Sequence, residues 1–301
     1  MYLSATLLLV CVIGYLAQSI GLCMVRGVNE CKSGKPEFLI AILFSGVLSW
    51  VAMIFTSFAD IPTNFKAYEI SKWVVIGGLL FGFGTAFNQG CGVSTLGKLS
   101  RGDSRMVFTI LGWLVGWSIL VKWNPSINHN QFIISSDITI GILIALSIAF
   151  MVWAFNGNKE RRKLWLTMMS IGLMGGFIFL YDAKWPPSGL LHKISQAFVN
   201  SDINLWPPIE SYFLFVSLLL GMFSAALYTR KFEVITSSWR EWLLHIMAGT
   251  LMGVGASLAL GGNDTQLLLA LPALSPAGII AVLAMLSGIW AGLYVREKYN
   301  T

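Results

Sequence analysis

The sequence predicts an all-α polytopic membrane protein: about nine transmembrane helices in two inverted repeats with re-entrant loops. Three observations lead there. Of 301 residues, 56% are hydrophobic and 11% charged, and the mean hydropathy is +0.72. Soluble domains carry roughly 25% charged residues, so this composition would not keep a surface wet. Apolar stretches recur along the whole chain, and at roughly 20 residues per span this length holds about nine or ten. The two halves also resemble each other at a fixed offset. A soluble enzyme, a secreted disulfide scaffold and a nucleic-acid binder are excluded. The net charge of +6 and isoelectric point near 9.2 then read as basic cytoplasmic loops facing anionic lipid.

Stretches bounded by charge or proline fall near residues 3–22, 37–59, 72–88, 105–121, 137–155, 164–182, 209–229, 242–260 and 275–295. The start, Met1-Tyr-Leu-Ser-Ala-Thr-Leu7, lacks the basic n-region and the cleavage site of a signal peptide, so the first stretch reads as a mature helix. Trp50, Trp73, Trp123, Trp153, Trp165, Trp206, Trp242 and Trp290 lie near span ends, as in an interfacial aromatic belt. The third stretch is short. Trp73 to Phe87 gives roughly 22 Å against a hydrocarbon core of about 30 Å, so it ends before the far surface. Of the 20 Lys and Arg, 15 fall on the side of the C-terminus, sharpest in the loop run Lys159-Glu-Arg-Arg-Lys163. The positive-inside rule puts the N-terminus outside and the C-terminus in the cytoplasm.

At an offset of 171, Gly78, Gly82, Gly84 and Gly90 fall on Gly249, Gly253, Gly255 and Gly261 without a gap. Leu80 falls on Leu251, Ser94 on Thr265 and Leu96 on Leu267. The single membrane domain divides into a first repeat (1–122), a linker span (123–163) and a second repeat (164–301). One odd linker span inverts the second repeat, a plan used by many transporters. The segments Asn88–Leu96 and Leu260–Leu268 are expected to approach the midplane from opposite sides. Each has glycines that release the helix, then polar residues, then a short apolar run ended by Gly97 or Pro272. That is the pattern of re-entrant half-helices, whose irregular backbone must be buried in protein or line a cavity. Close helix packing is the competing account of Gly78, Gly82 and Gly84, though it does not explain the polar cluster.

Other motifs carry less. Gly92-Val-Ser-Thr-Leu-Gly-Lys98 matches the start of a phosphate-binding loop, but Leu99 follows and cannot ligate magnesium. Cys11, Cys23, Cys31 and Cys91 match no zinc or CxxC spacing, and His129, His192 and His245 stand apart. No cofactor or metal is expected, and no nucleic-acid partner.

Cys23-Met-Val-Arg-Gly-Val-Asn-Glu30 and Gly82-Phe-Gly-Thr-Ala-Phe-Asn-Gln-Gly-Cys-Gly-Val-Ser-Thr-Leu-Gly97 resemble the YeeE/YedE family of bacterial sulfur-compound transporters, whose characterised members take up thiosulfate. The resemblance implies an hourglass of inverted repeats in the inner membrane, with loops pinching a central path. It also implies cysteines at the pinch that pass the substrate along by hydrogen bonds. Motif position carries that role to Cys23 and Cys91. The family's thiosulfate transporters have another cysteine in the second-half loop, where Gly262 falls here, followed by Asn263 and Asp264. The usual relay of three thiols is therefore missing, and the expected substrate is thiosulfate or a related sulfur or selenium species.

A small anion crossing a membrane needs donors without a trapping charge. A neutral thiol is a weak donor with a soft, polarizable sulfur. Helix N-termini after Gly90–Cys91 and Gly261–Asn263 would aim N–H groups at the path. The path residues are then Cys91, Cys23, Asn88, Gln89, Gly90, Gly92, Ser94, Gly262, Asn263, Asp264 and Thr265, with Lys98, Arg101 and Arg105 drawing anions at the cytoplasmic mouth. Free cysteine is commonly a small buried hydrophobe, and Cys11 and Cys31 are read that way. Cys23 divides evenly between that reading and function. An intramembrane carboxylate is expensive, so Asp264 caps a half-helix, is protonated, pairs with a base such as Arg26, or couples a proton or cation. The function expected is uptake of a small inorganic sulfur anion, with membrane lipid and a cytoplasmic sulfur-carrier protein as partners. The alternatives are a membrane-embedded sulfurtransferase with a persulfide on Cys91 or Cys23, and a passive channel for another small solute.

Overall fold

The computed structural model describes residues 2–59, 61–123, 125 and 130–299. Two sets of helices follow each other in the same order. The first is α1 (Tyr2–Ile20), a short α2 (Met24–Lys32), a crossing made of α3 (Glu37–Leu43), a 3-10 turn (Ser45–Ser49) and α4 (Trp50–Ala59), then α5 (Lys72–Phe87), a short α6 (Gly92–Ser100) and α7 (Arg105–Trp123). After α8 (Ser136–Phe155) the second set runs α9 (Lys159–Tyr181), a short α10 (Pro187–Asn200), α11 (Ile209–Tyr228), α12 (Trp239–Leu258), a single-turn α13 (Asn263–Thr265) leading into a π-turn (Gln266–Ala270), and α14 (Pro276–Tyr299). Among the described residues eight stretches are long and apolar enough to cross a membrane, or nine with α12–α13 included. They occupy the nine places read from the sequence.

The shortness of α5 is resolved by α6, which extends it into a 29-residue stretch, Lys72–Ser100. At the second break the axis bends by 43°. The bend follows one left-handed residue, Leu260, and a glycine, Gly261.

The repeat glycines are packing positions. A Cβ on Gly78 would lie 2.7 Å from the Ala281 carbonyl oxygen, and one on Gly82 would collide with the Met285 carbonyl, so α5 lies directly on α14. Gly249 and Gly253 set α12 against Thr109 and Trp113 of α7 in the same way. Gly84 meets Ala248, and its counterpart Gly255 meets Gly77 and Phe81, so the crossing of α5 and α12 uses matching positions from both halves. Small residues are what allow membrane helices to approach this closely.

Two local expectations change. The run Lys159–Lys163 is the first turn of α9 and not a loop: Asn158 caps it by accepting from the Arg161 N–H at 2.8 Å, and Arg161 pairs with Glu37 at 2.6 Å. Trp165 is 1% exposed and stacks on Phe150, so it belongs to the core and not to an interfacial belt; Trp123, Trp153, Trp206 and Trp290 remain at the surface. A 3-10 turn interrupts the second crossing where the Gly172 backbone lies against the Ser45 carbonyl and Gly46 against the Leu267 carbonyl.

Candidate functional site

Both breaks are built by the same backbone. Helix α5 ends on Asn88, Gln89 turns left-handed (φ 57°), and Gly90 N–H reaches back to the Thr85 carbonyl at 3.1 Å. Helix α12 ends on Ala259, Leu260 turns left-handed (φ 64°), and Gly261 N–H reaches back to Ala256 at 2.8 Å. This is the Schellman ending, in which a left-handed residue satisfies the last carbonyls. The next residues, Cys91 (φ −76°, ψ 179°) and Gly262 (φ −73°, ψ 179°), are extended N-caps of α6 and α13. The offset of 171 thus holds for dihedral angles as well as for residue types.

Asn88 braces the first break. Buried completely, it donates to the Gly90 carbonyl and the Thr95 hydroxyl, both at 2.8 Å. Its oxygen accepts from the Thr109 hydroxyl at 2.7 Å and lies 2.9 Å from His245 Nδ1. Thr95 in turn donates to the Cys91 carbonyl at 2.9 Å. Four elements therefore fix where Cys91 sits. The second break has a simpler brace, the Gln266 amide donating to the Ala259 carbonyl at 2.6 Å.

At the centre the halves touch. Gly92 N–H donates to Asn263 Oδ1 at 3.1 Å, a contact between two positions that are themselves 171 apart. Cys23, the N-cap of α2, lies beside Cys91, the N-cap of α6, with Ser94 next to them. Cys91 is 1% exposed. On the other side Asp264, 8% exposed, accepts from Thr265 N–H at 2.8 Å and from the Ser188 hydroxyl at 2.9 Å, with Ser188 N–H at 3.5 Å. Ser188 lies in the first turn of α10. The expected partnership of Asp264 with Arg26 is not present: Arg26 pairs with Glu30 at 2.7 Å and donates to the Ile20 carbonyl. Among the described residues no Lys or Arg forms an ion pair with Asp264.

Two voids flank this contact, about 30 Å³ beside Cys91 and Asp264 and about 20 Å³ beside Gly92 and Ser188. Each has room for about one water, which needs at least ~10–15 Å³. Beyond Ser188 and Thr265 a chamber of about 400 Å³ opens, walled by the 64–68 segment, Lys184, α10 and the end of α12. The interior is therefore closed at the Gly92–Asn263 contact and wide on the side of the second break.

Of the residues read from the sequence, Cys23, Cys91, Gly92, Ser94, Gly262, Asn263 and Asp264 come together, and Thr265 lies at the chamber floor. Asn88 and Gly90 hold the loop from behind, and the Gln89 carbonyl accepts from Lys98 at 2.9 Å. Arg105 is not a free cation, because it forms a two-point pair with Asp103 at 2.8 and 2.9 Å. Burial pushes the Asp103 carboxyl up, but Arg105 outweighs it and holds the group below its usual range. Cys11 is half-buried in α1 and Cys31 exposed, both away from the centre. Sequence reasoning missed Ser188, Gln266, Thr95, Thr109 and His245. Only Ser188 had a local signal, the Pro186-Pro187 pair that opens a helix.

A family model described as sulphur transport matches residues 23–291. The chain is also similar to the thiosulfate transporter TsuA of Escherichia coli (strain K12), with 22% identity over 289 aligned positions covering 80% of this chain and 81% of that protein.

Proposed function

The chain belongs to the sulphur transport family, and on that premise we propose that it takes up a small sulfur-containing anion, thiosulfate or a close relative, through the contact between Cys91–Gly92 and Asn263–Asp264. The observation that carries this reading is the thiol pair. Cys23 and Cys91 cap two nine-residue helices whose N-termini converge, so partial positive charge and two weak S–H donors face one point, with the Lys98 ammonium nearby but held by the Gln89 carbonyl. Such a point binds an anion loosely enough to release it, and the sulfur atoms offer a polarizable surface to a sulfur ligand. The matched backbones, and the meeting of residues 92 and 263, support inverted repeats with the pinch near their shared axis. The basic asymmetry supports an N-terminus outside and a C-terminus inside the cytoplasmic membrane, with the chamber opening outward.

The test is uptake of radiolabelled thiosulfate, sulfite, selenite and sulfate into cells and proteoliposomes. The reading expects thiosulfate or a near relative to accumulate above empty vesicles; equal permeation of all four would make the protein a passive channel. Turnover of thiosulfate by solubilised protein, with no second compartment, would favour a sulfurtransferase instead. Orientation is tested by Asn158→Cys and Asn130→Cys in a Cys31→Ser background with an impermeant maleimide. Labelling at 158 in intact cells would overturn the orientation.

A further inference from the structure

We propose that the cleft beside α8 is a phospholipid site, with one acyl chain lying in an apolar groove and the phosphate headgroup in the polar pocket that continues it. The groove encloses about 290 Å³, and every residue lining it is apolar. Leu143 and Leu146 of α8, Leu283 and Leu286 of α14 and the 43–47 stretch form its walls, together with the 267–274 stretch behind the second break. The three helices that line it belong to candidate membrane spans, so hydrocarbon is the medium at that depth. Leu283 is 54% exposed, which leaves the groove open to the side. A space of this size holds roughly ten methylene groups at about 30 Å³ each, the share of one water. Apolar cavities stay dry, and an empty one forfeits the dispersion contacts of its wall, so a chain of methylenes is the occupant that fits.

The polar pocket encloses about 520 Å³; Lys66, Thr63, Gln131 and Ser136 are in its wall, and no carboxylate is. Groove and pocket share two walls. On α8, Ser136, Thr139 and Ile140 line the pocket and Leu143 and Leu146 the groove, a stripe of positions about one turn apart on one helix face. In the turn before α14, Ala273 lines the pocket, and its neighbours Pro272 and Leu274 line the groove. The cleft therefore runs without a break from polar to apolar, as a lipid does.

Charge complementarity names the headgroup. Lys66 is exposed and, among the described residues, forms no ion pair. Its segment is held in place by backbone pairing, with Phe132 N–H on the Ala67 carbonyl at 2.9 Å and Glu69 N–H on the Asn130 carbonyl at 3.0 Å. The nearby Glu69 carboxylate accepts from the Asn130 amide at 3.1 Å. A basic pocket beside membrane helices suits an anionic phosphate headgroup. Bilayer hydrocarbon is as apolar as the groove, so the tail alone gains little by moving in, and the headgroup supplies the retention. Among the eight candidate spans α8 is the least buried, so a lipid lying between it, α14 and the 61–67 segment adds packing where the protein has least.

The experiment adds dioleoylphosphatidylglycerol to the purified, delipidated full chain in detergent and reads native mass spectra and thermal unfolding. Expected are one retained lipid per chain and a raised unfolding temperature. Dioleoylglycerol, which has the tails without the phosphate, and inorganic phosphate, which has no tail, should each give neither. Lys66→Gln should weaken the apparent Kd about fivefold, the scale of one cation near an anionic lipid. Lys66 also borders the chamber, so lipid binding and not uptake is the readout. Leu146→Trp fills the groove and should abolish retention. Because that variant can also fail to fold, the parent is labelled separately with a phosphatidylglycerol carrying a diazirine in its acyl chain. Adducts should gather on Leu143, Leu146, Leu283 and Leu286 and be displaced by unlabelled phospholipid. Adducts spread equally over the exposed Leu111, Val115 and Ile119 of α7, equal retention of dioleoylglycerol, or unchanged retention in both variants would overturn the site. A dimer that Leu146→Trp separates would also overturn it, by making the groove a seam between two copies of the chain.

Discussion

Between residues 88 and 95 the chain has an amide, a left-handed Gln, a glycine and a thiol. Between 259 and 266 it has an alanine, a left-handed Leu and two glycines, with a carboxylate following. The backbone is the same in both breaks, and so is the mechanical link from the helix cap to the first turn of the next helix. In the first break the cap residue supplies the amide (Asn88 to Thr95), while in the second the helix residue supplies it (Gln266 to the Ala259 carbonyl). Stopping a helix in the membrane thus fixes dihedrals and a brace, and leaves the inward-facing chemistry free to differ. A side chain on Gly262 would lie 2.7 Å from Asp264 Oδ1 and 3.2 Å from the Ser188 Cβ, so a thiol at 262 and the Asp264 carboxylate compete for the same space.

The largest expected effect breaks the thiol side. On the uptake reading, Cys91→Ala removes a donor that acts at the tightest point, and uptake should fall about 100-fold, the scale of losing one positioned donor. Expression and folding should be nearly normal, because alanine fits the same space. Cys11→Ala should transport like the parent. Equal uptake by both would end the thiol mechanism and leave the two breaks functionally alike.

The braces come next. Asn88→Leu frees the Gly90 carbonyl and leaves the buried Thr109 hydroxyl and His245 Nδ1 with only each other at 3.3 Å, at about 1–3 kcal/mol for each group left unmet, so a loss above that of a single unmet group is expected. Gln266→Leu frees one carbonyl and should cost about 1–3 kcal/mol. Thermal unfolding in detergent measures both. A larger loss from Gln266→Leu would reverse the ranking of the two breaks. Gly262→Cys should destabilise alone and recover with Asp264→Ser, a coupling of about 1–3 kcal/mol in a double-mutant cycle. Additive losses would separate the missing thiol from the carboxylate.

Much of this comparison is legible in the sequence, because glycines and short spans are local signals. Trp73–Phe87 is too short for a bilayer, and four glycines repeat in register; both facts survive in α5–α6 and in the helix crossings. The supports are not legible, since they are made over long chain distances. His245 reaches Asn88 across 157 residues and Ser188 reaches Asp264 across 76, and neither has a periodicity that announces it. Helices α2 and α10 are too short for a span pattern. The chamber wall is drawn from the 64–68 segment, α7, α10 and the region of α12–α14, so no single stretch reads as a site.

The smallest expected effect concerns Asp264. A carboxylate at mid-depth costs about 2.5–3.5 kcal/mol on insertion scales, and Asn caps a helix as well as Asp does, so capping alone does not account for it. Asp264→Asn keeps an oxygen for Thr265 N–H and the Ser188 hydroxyl, and should fold like the parent. What it loses is the ability to change charge. On the uptake reading, an anion at the pinch would be repelled by an ionised Asp264, which has no cation paired to it among the described residues, and would pass beside the neutral form. Parent uptake should then rise as pH falls from about 8 to 5, and the variant should be flat across that window, near the parent's acid-side rate. Uptake measured at unit steps of pH decides it. Parallel profiles for the two proteins would make Asp264 a helix cap and confine the functional difference between the breaks to the thiols.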